Sequence, residues 1–123
     1  MVREFTSNDF VGGSLVASRG CAFILFYMPR CPYCIAVKPT WEKIHEQHAY
    51  LMVGQLDITA EGNREMVAKL RSPNNGAGYY LPSFPTMVLF INEKAYATYE
   101  GDRTLEDFGR FLMTNTSKGK LCT

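Results

Sequence analysis

Residues 22–34 read AFILFYMPRCPYC, and they carry the strongest structural signal in the sequence. Its first part, residues 22–28, is a continuous apolar run of strand length, which is typical of a strand buried on both faces of a parallel sheet. Its second part, PRCPYC, leads directly into a helix-like stretch over residues 35–48. A buried strand that is followed at once by two cysteines and a helix predicts a chemical site at one end of a central sheet.

The remainder of the chain alternates between strand and helix patterns. The predicted strands cover residues 3–6, 51–57, 86–91 and 95–99, and the predicted helices cover residues 7–19, 60–70 and 104–115. Gly12 and Gly13 weaken the first of these helices, and residues 72–82 form a long loop rich in turn residues. The order predicts an α/β fold with a mixed central β-sheet flanked by helices on both faces.

Length and charge narrow the possible classes of protein. The 123 residues suit one domain over residues 1–123, with a core over residues 1–115 and a C-terminal tail over residues 116–123. A net charge of +1 argues against nucleic acid or an anionic membrane as the main partner. No apolar run approaches the roughly 18 residues of a membrane span. We expect a monomer. The polar N-terminus predicts a cytoplasmic protein, or one of the endoplasmic reticulum lumen if a leader was removed.

The sequence Cys31-Pro32-Tyr33-Cys34 predicts thiol–disulfide chemistry. Pro32 suits the first helical position, which makes Cys31 the N-cap residue, facing unpaired backbone N–H groups and the positive end of the helix dipole. Both features favour the thiolate, which is the nucleophilic form of cysteine. Arg30 adds a neighbouring cation. Cys34 lies one turn further along, where it could resolve a mixed disulfide on Cys31.

The alternatives to a redox pair are a buried cysteine pair or half of a zinc site. A zinc site needs two further ligands at close spacing, and His45 and His48 lie too far along the helix to supply them, so we expect both on its exposed face and no metal. Cys21 is expected to be a buried free thiol. Cys122 is expected in a mobile tail, where it could form intermolecular disulfides. Two lone thiols fit a reducing compartment.

Several segments together resemble the thioredoxin superfamily, over nearly the whole chain. The matching pieces are FILFYMPRCPYC, KPTWEKI, QLDIT, SFPT with MVLF, and YEGDRTLEDFGRFL. The last four are more similar to domains of protein disulfide isomerases than to bacterial thioredoxins. The resemblance implies a thioredoxin fold and a thiol–disulfide oxidoreductase that acts without a bound cofactor.

The resemblance also implies roles for individual residues. Cys31 matches the nucleophile and Cys34 the resolving cysteine of the family. Pro85 matches a cis-proline beside the disulfide, and the backbone of Phe84, the residue before it, matches the position that pairs with bound substrate. Tyr33, between the cysteines, is expected to contact the substrate and to tune the redox potential.

The chain departs from the family pattern at three positions of the site. Leu25 stands where relatives usually have a buried acid, and Gln55 stands where they usually have a lysine. The loss of both charges is chemically coherent, but it leaves Cys34 without an obvious base, so we expect slow resolution near neutral pH. Arg30 replaces a tryptophan, which removes apolar surface and predicts contacts with peptides or with small anionic thiols such as glutathione.

Other candidate residues carry weaker signals. Tyr79 and Tyr80 follow the long loop and either shape a substrate groove or pack in the core. Trp41 is expected to pack beneath the active-site helix. Residues 115–117 form a glycosylation sequon, for which no use is expected in the cytosol.

The sequence therefore predicts an enzyme that exchanges disulfides with proteins through Cys31 and Cys34. Its partners would be disulfide- or thiol-containing proteins, with glutathione or a partner reductase as the source of electrons. A glutaredoxin-like, glutathione-dependent enzyme is the first alternative, since C-P-Y-C also occurs in glutaredoxins. A non-catalytic module that binds substrates at the cis-proline groove is the second.

Overall fold

A computed structural model describes residues 2–122 and has a five-stranded mixed sheet at its centre. The strands of the chain are β1 (Arg3–Glu4), β2 (Phe10–Val11), β3 (Ser14–Leu15), β4 (Cys21–Tyr27), β5 (Leu51–Asp57), β6 (Thr86–Ile91) and β7 (Lys94–Thr98). The helices are α1 (Pro32–Gln47), α2 (Arg64–Leu70) and α3 (Leu105–Asn115). The central sheet has the order β1-β5-β4-β6-β7. Strands β1, β5 and β4 are parallel, whereas β6 is antiparallel to both of its neighbours, β4 and β7.

Strand β4 lies in the middle of this sheet, as the apolar run predicts. All seven of its residues are buried. Its side chains alternate between two cores, one with Phe23 and Leu25 and the other with Ile24 and Phe26. Helices α1 and α3 cover the first face, whereas α2 covers the second. The mixed sheet with helices on both faces is therefore confirmed.

Trp41 packs beneath α1 as predicted. Its side chain is fully buried, its Nε1 donates a hydrogen bond to the Gly54 carbonyl oxygen at 2.9 Å, and its ring lies 4.6 Å from the Phe23 ring between centroids. Gly54 is required at this point of β5, because a Cβ atom there would lie 2.1 Å from the Phe5 ring. The tryptophan thus fixes α1 against the sheet.

The helix predicted over residues 7–19 is wrong. Thr6 caps only a short 3-10 helix, Ser7–Asp9, and the chain then forms the hairpin of β2 and β3. Gly12 and Gly13 make its turn with φ angles of +55° and +86°, a conformation that favours glycine. The 3-10 helix ends at Asp9, before the glycine pair, and the chain continues as a hairpin instead of a helix.

The other helices differ from prediction mainly at their ends. The segment predicted as one helix over residues 60–70 divides into a 3-10 helix, Glu61–Asn63, and α2. Helix α3 begins after Thr104, whose hydroxyl accepts a hydrogen bond from the Asp107 N–H. His48, expected on an exposed face, is instead only 7% exposed, because it lies at the C-terminal end of α1 beneath Tyr50. Among residues 2–122, no helix is long and apolar enough to cross a bilayer.

The two cysteines expected to stand alone form a disulfide in the structure. Cys21, at the start of β4, is bonded to Cys122, 101 residues further along the chain. Gly20 makes room for this approach, since a Cβ atom there would lie 2.5 Å from the Cys122 carbonyl oxygen. The prediction of a free core thiol and a mobile terminal cysteine is therefore corrected: sequence spacing gives no sign that the two ends meet.

Candidate active site

The end of β4 and the start of α1 place the two remaining cysteines. Cys31 is the N-cap residue of α1, with extended backbone angles, and Pro32 occupies the first helical position. Both Cys31 and Cys34 are free thiols, the first partly exposed and the second only 1% exposed. The geometry predicted from the C-x-x-C sequence is therefore present: an accessible sulfur at the helix start and a buried one a turn behind it.

The pKa values of the two thiols are shifted in opposite directions. The pKa of Cys31 is lowered, chiefly by the backbone N–H of Cys34 and further by that of Tyr33, against the opposing effect of desolvation. These N–H groups face the sulfur without completing a conventional capping hydrogen bond. Burial raises the pKa of Cys34 to about 11. Because only the thiolate attacks disulfides, Cys31 is the nucleophile that this geometry favours.

The loop before β6 forms the other side of the site. The Phe84–Pro85 peptide bond is cis, as the sequence predicts. The Cys31 Sγ–H donates to the Phe84 carbonyl oxygen at 3.9 Å. Phe84 itself is partly buried and contacts both cores. A group bonded to the Cys31 sulfur would therefore lie beside the backbone of Phe84.

An apolar cleft opens on the Cys31 sulfur. Its volume is about 410 Å³, and Met28, Pro29, Arg30, Cys31 and Thr59 line it. Arg30 thus lies beside the site as predicted. Thr59, just beyond β5, was not predicted as part of it.

The positive charge that affects both cysteine thiols is that of Arg103, which was not predicted as a site residue. Its positive charge lowers the pKa of both Cys31 and Cys34. Its guanidinium lies 5.7 Å from the centre of the Tyr33 ring. Arg103 belongs to the YEGDRT segment, which is one of the segments that resemble the family, so the sequence shows the residue but not its position in the site. Its place beside the cysteines depends on where the loop between β7 and α3 returns.

The acid and the lysine that are absent at Leu25 and Gln55 are present nearby as Glu4 and Lys38, which both form hydrogen bonds with Gln55. Leu25 and Gln55 are register partners in β4 and β5. Lys38 Nζ donates to Gln55 Oε1 at 2.5 Å, and Gln55 Nε2 donates to Glu4 Oε1 at 2.8 Å. Tyr27 completes the network, with its hydroxyl donating to Glu4 Oε2 at 3.2 Å. An acid and a lysine are therefore joined through the glutamine at the sheet edge.

This network does not give Cys34 a base by direct contact. The side-chain charges that act on Cys34 are those of Cys31 and Arg103. Within the network, burial and the adjacent Glu4 raise the pKa of Tyr27. Slow resolution through Cys34 therefore stays a prediction.

Other predicted site residues fall into different places. Tyr79 is a core residue, 8% exposed, whose hydroxyl donates to the Gly13 carbonyl oxygen at 3.0 Å, so of its two predicted alternatives the packing role is the one observed. Tyr80 is 39% exposed and Tyr33 is 67% exposed. The Asn115 side chain of the sequon donates to the Phe111 carbonyl oxygen. Among residues 2–122, no three His, Cys, Asp or Glu side chains are grouped to hold a metal ion.

Known proteins share this sequence pattern and this architecture. The chain is 28% identical over 99 residues to a thioredoxin domain-containing protein 5 homolog of Drosophila melanogaster, with 77% of this chain and 22% of that protein covered. It is 29% identical over 102 residues to a protein disulfide-isomerase of Gallus gallus, with 79% of this chain and 17% of that protein covered. The chain thus spans about a fifth of each of these relatives.

A solved structure supports the same fold. Thioredoxin f2 of Chlamydomonas reinhardtii superposes with a TM-score of 0.70 at 14% identity, over 93% of this chain and 95% of that one. At the level of sequence, the thioredoxin family profile matches residues 2–114. The buried central strand, the two cysteines at the start of α1 and this match over nearly the whole chain lead to one conclusion: the protein belongs to the thioredoxin family.

Proposed function

We propose that the chain is a dithiol–disulfide oxidoreductase that acts on protein disulfides through Cys31 and Cys34. The observation that carries this proposal is the contrast between the two thiols. One is accessible and has a lowered pKa, whereas the other is buried one turn behind it and has a pKa of about 11. This pairing suits one attack on a substrate and one internal attack on the resulting mixed disulfide.

The reduction of a substrate would run in two balanced steps. The Cys31 thiolate attacks one sulfur of the substrate disulfide, forms a mixed disulfide and releases the other sulfur as a thiolate. Cys34 then loses its proton and attacks the Cys31 sulfur, which forms the Cys31–Cys34 disulfide and releases the second substrate thiolate. Two electrons pass to the substrate. Burial is the main cause that raises the pKa of Cys34 and it persists in the mixed disulfide, so the rate of the second step should rise with pH through the neutral range.

The oxidised pair would be reduced again by glutathione or by a partner reductase. In a glutaredoxin-like enzyme, turnover requires glutathione and its reductase. In a thioredoxin- or isomerase-like enzyme, protein disulfides are exchanged without glutathione. Comparing turnover of a protein disulfide with and without glutathione separates these two candidates.

The first experiment is the redox equilibrium of the Cys31–Cys34 pair. Glutathione or dithiothreitol buffers set the potential, and alkylation followed by mass measurement counts the free thiols. A midpoint near roughly −270 mV would indicate a reductase, and one near roughly −180 mV or higher an isomerase or oxidant. A pair that forms no disulfide at any potential would contradict the enzyme and favour a module that only binds substrates.

Matched variants test the roles of the two cysteines. Cys34→Ser should accumulate mixed disulfides with a protein substrate, because the first step remains and the second is removed. Cys31→Ser should accumulate none. Equal trapping by the two variants would contradict the assignment of Cys31 as the nucleophile.

We also propose that the protein functions in an oxidising compartment, such as the endoplasmic reticulum lumen, and not in the cytoplasm. What supports this is the Cys21–Cys122 disulfide, since disulfides persist mainly where thiols are not kept reduced. Fractionation of the source cells, with the thiols alkylated at lysis, tests it. Recovery in the cytosol with all four thiols free would contradict the proposal.

A further inference from the structure

Three arginines without an ion-pair partner among residues 2–122 lie at the site, two beside Cys31 and one against Phe84 of the loop before β6. Arg30, Arg71 and Arg103 are all exposed. None of them takes part in an ion pair within the described residues. In a chain whose net charge is only +1, three unneutralised cations at one site form a locally positive surface.

Two of these arginines lie beside the start of α1. Arg30 directly precedes Cys31 and lines the cleft that opens on its sulfur. Arg103 approaches from the loop before α3, lies over the Tyr33 ring and acts electrostatically on both cysteine sulfurs. Its neighbour Asp102 forms no ion pair with it and lies by Tyr99, where its charge raises the pKa of that phenol.

Arg71 contacts the loop before β6, on the other side of the site. Its guanidinium lies 5.2 Å from the centre of the Phe84 ring and donates a hydrogen bond to the Pro82 carbonyl oxygen at 3.4 Å. The carbonyl oxygen of the same Phe84 is 3.9 Å from the Cys31 sulfur. A positive charge therefore lies one side chain away from the backbone that a bound substrate would pass.

Two of these guanidinium groups make cation–π contacts. Arg71 lies over the Phe84 ring and Arg103 over the Tyr33 ring. A guanidinium has a planar fork of N–H donors that can bind a carboxylate with two hydrogen bonds. Contacts that restrain the two side chains in advance reduce the side-chain entropy lost when a ligand binds.

We propose that this surface selects peptide disulfides in which acidic residues flank the reacting cysteine. The inference rests on the proposed function and names its substrate class. Peptides are favoured over a small thiol because the three arginines come from three separate segments of the chain. An extended peptide across Cys31 can approach more than one of them.

The test compares three peptides that each contain one disulfide and differ only in the flanking residues. These residues are glutamate, glutamine or lysine, and the reaction with the reduced protein is followed by separating reactants and products at low ionic strength. We expect the acidic peptide to react about ten times faster than the basic one, from two or three exposed ion pairs. The ratio should fall toward one as salt screens the charges.

Arg71 is the informative position, because its charge is not among those that shift the pKa of Cys31. Arg71→Gln should lower the ratio of acidic to basic rates about two- to fivefold, the contribution of one exposed pair. Arg71→Lys, which keeps the charge but loses the planar guanidinium, should restore part of it. Arg19→Gln is the matched control, since it removes one exposed positive charge just before β4 begins, whereas Cys31 follows the other end of that strand.

The outcomes separate this inference from the proposed function. Equal rates for the acidic and basic peptides, with the neutral peptide reacting, would overturn the inference and leave the function standing. A ratio that Arg19→Gln lowers as much as Arg71→Gln would also overturn it. A preference for glutathione disulfide over all three peptides would contradict a peptide-selecting surface. If not even the neutral peptide reacts, the proposed function fails and the inference fails with it.

Discussion

Replacing Cys122 by serine removes the covalent link between the C-terminus and the start of β4. The link joins residues 101 positions apart, so it closes nearly the whole chain into a loop. In the chain-entropy view, a loop of about 100 residues contributes up to about 4.7 kcal/mol by restricting the unfolded chain. This is a large share of the roughly 5–15 kcal/mol that stabilises an ordinary domain.

The expected change in melting temperature follows from the size of the chain. An unfolding entropy of about 2.1 cal/mol/K per residue gives roughly 0.26 kcal/mol/K for 123 residues. A loss of about 3 to 4.7 kcal/mol should therefore lower the melting temperature by about 12 to 18 °C. Calorimetry of wild type and Cys122→Ser without reductant measures this difference directly.

Reductant provides the internal control. With the disulfide reduced, wild type and Cys122→Ser should melt within a few degrees of each other, because neither then has the link. Alkylation without reduction, followed by mapping of linked peptides, should show Cys21 joined to Cys122. A linked wild type that melts within about 4 °C of the variant would refute the loop argument, and two further free thiols in the unreduced protein would refute the disulfide itself.

Three further predictions concern the nucleophile and the core. Iodoacetamide trapping across pH should give Cys31 an apparent pKa below the ordinary cysteine value, so its alkylation should already be fast at neutral pH; an unshifted profile would contradict the helix-start effect. Arg103→Gln should move that profile to higher pH, because it removes a nearby positive charge, and an unmoved profile would exclude the arginine from this role. Gly54→Ala should destabilise the fold by about 1–3 kcal/mol in urea, because the added Cβ would meet the Phe5 ring, whereas Gly62→Ala, which meets nothing within 4 Å, serves as the control.

What the sequence predicts well depends on local patterns. Strand β4, the start of α1 and the N-cap place of Cys31 follow from a short apolar run and a neighbouring proline, and all three are present. The hairpin of β2 and β3 is not predicted, because Ser7 and Asn8 are residue types that often begin a helix, whereas in the structure they lie inside a short 3-10 helix that Thr6 caps.

The missed parts of the site depend on distant segments. Arg71 and Arg103 lie 40 and 72 positions after Cys31, and chain topology alone brings Arg71 to Phe84 and Arg103 to Tyr33, on the two sides of the site. The bond between Cys21 and Cys122 likewise joins segments that no periodicity connects. Residue type alone shows what each side chain could do, whereas chain topology decides which of them meet.

The hairpin of β2 and β3 also protects an edge of the central sheet. Strand β7 is the last strand on its side, and unpaired edge strands invite pairing with other chains. Leu15 N–H donates to the Glu93 carbonyl oxygen at the turn before β7, and Lys94 Nζ donates to Ser14 Oγ at 3.0 Å. The hairpin thus obstructs one end of that edge, while the opposite edge, β1, is only two residues long. A contacted end on one side and a very short strand on the other are features that reduce pairing with a foreign strand at the sheet edges.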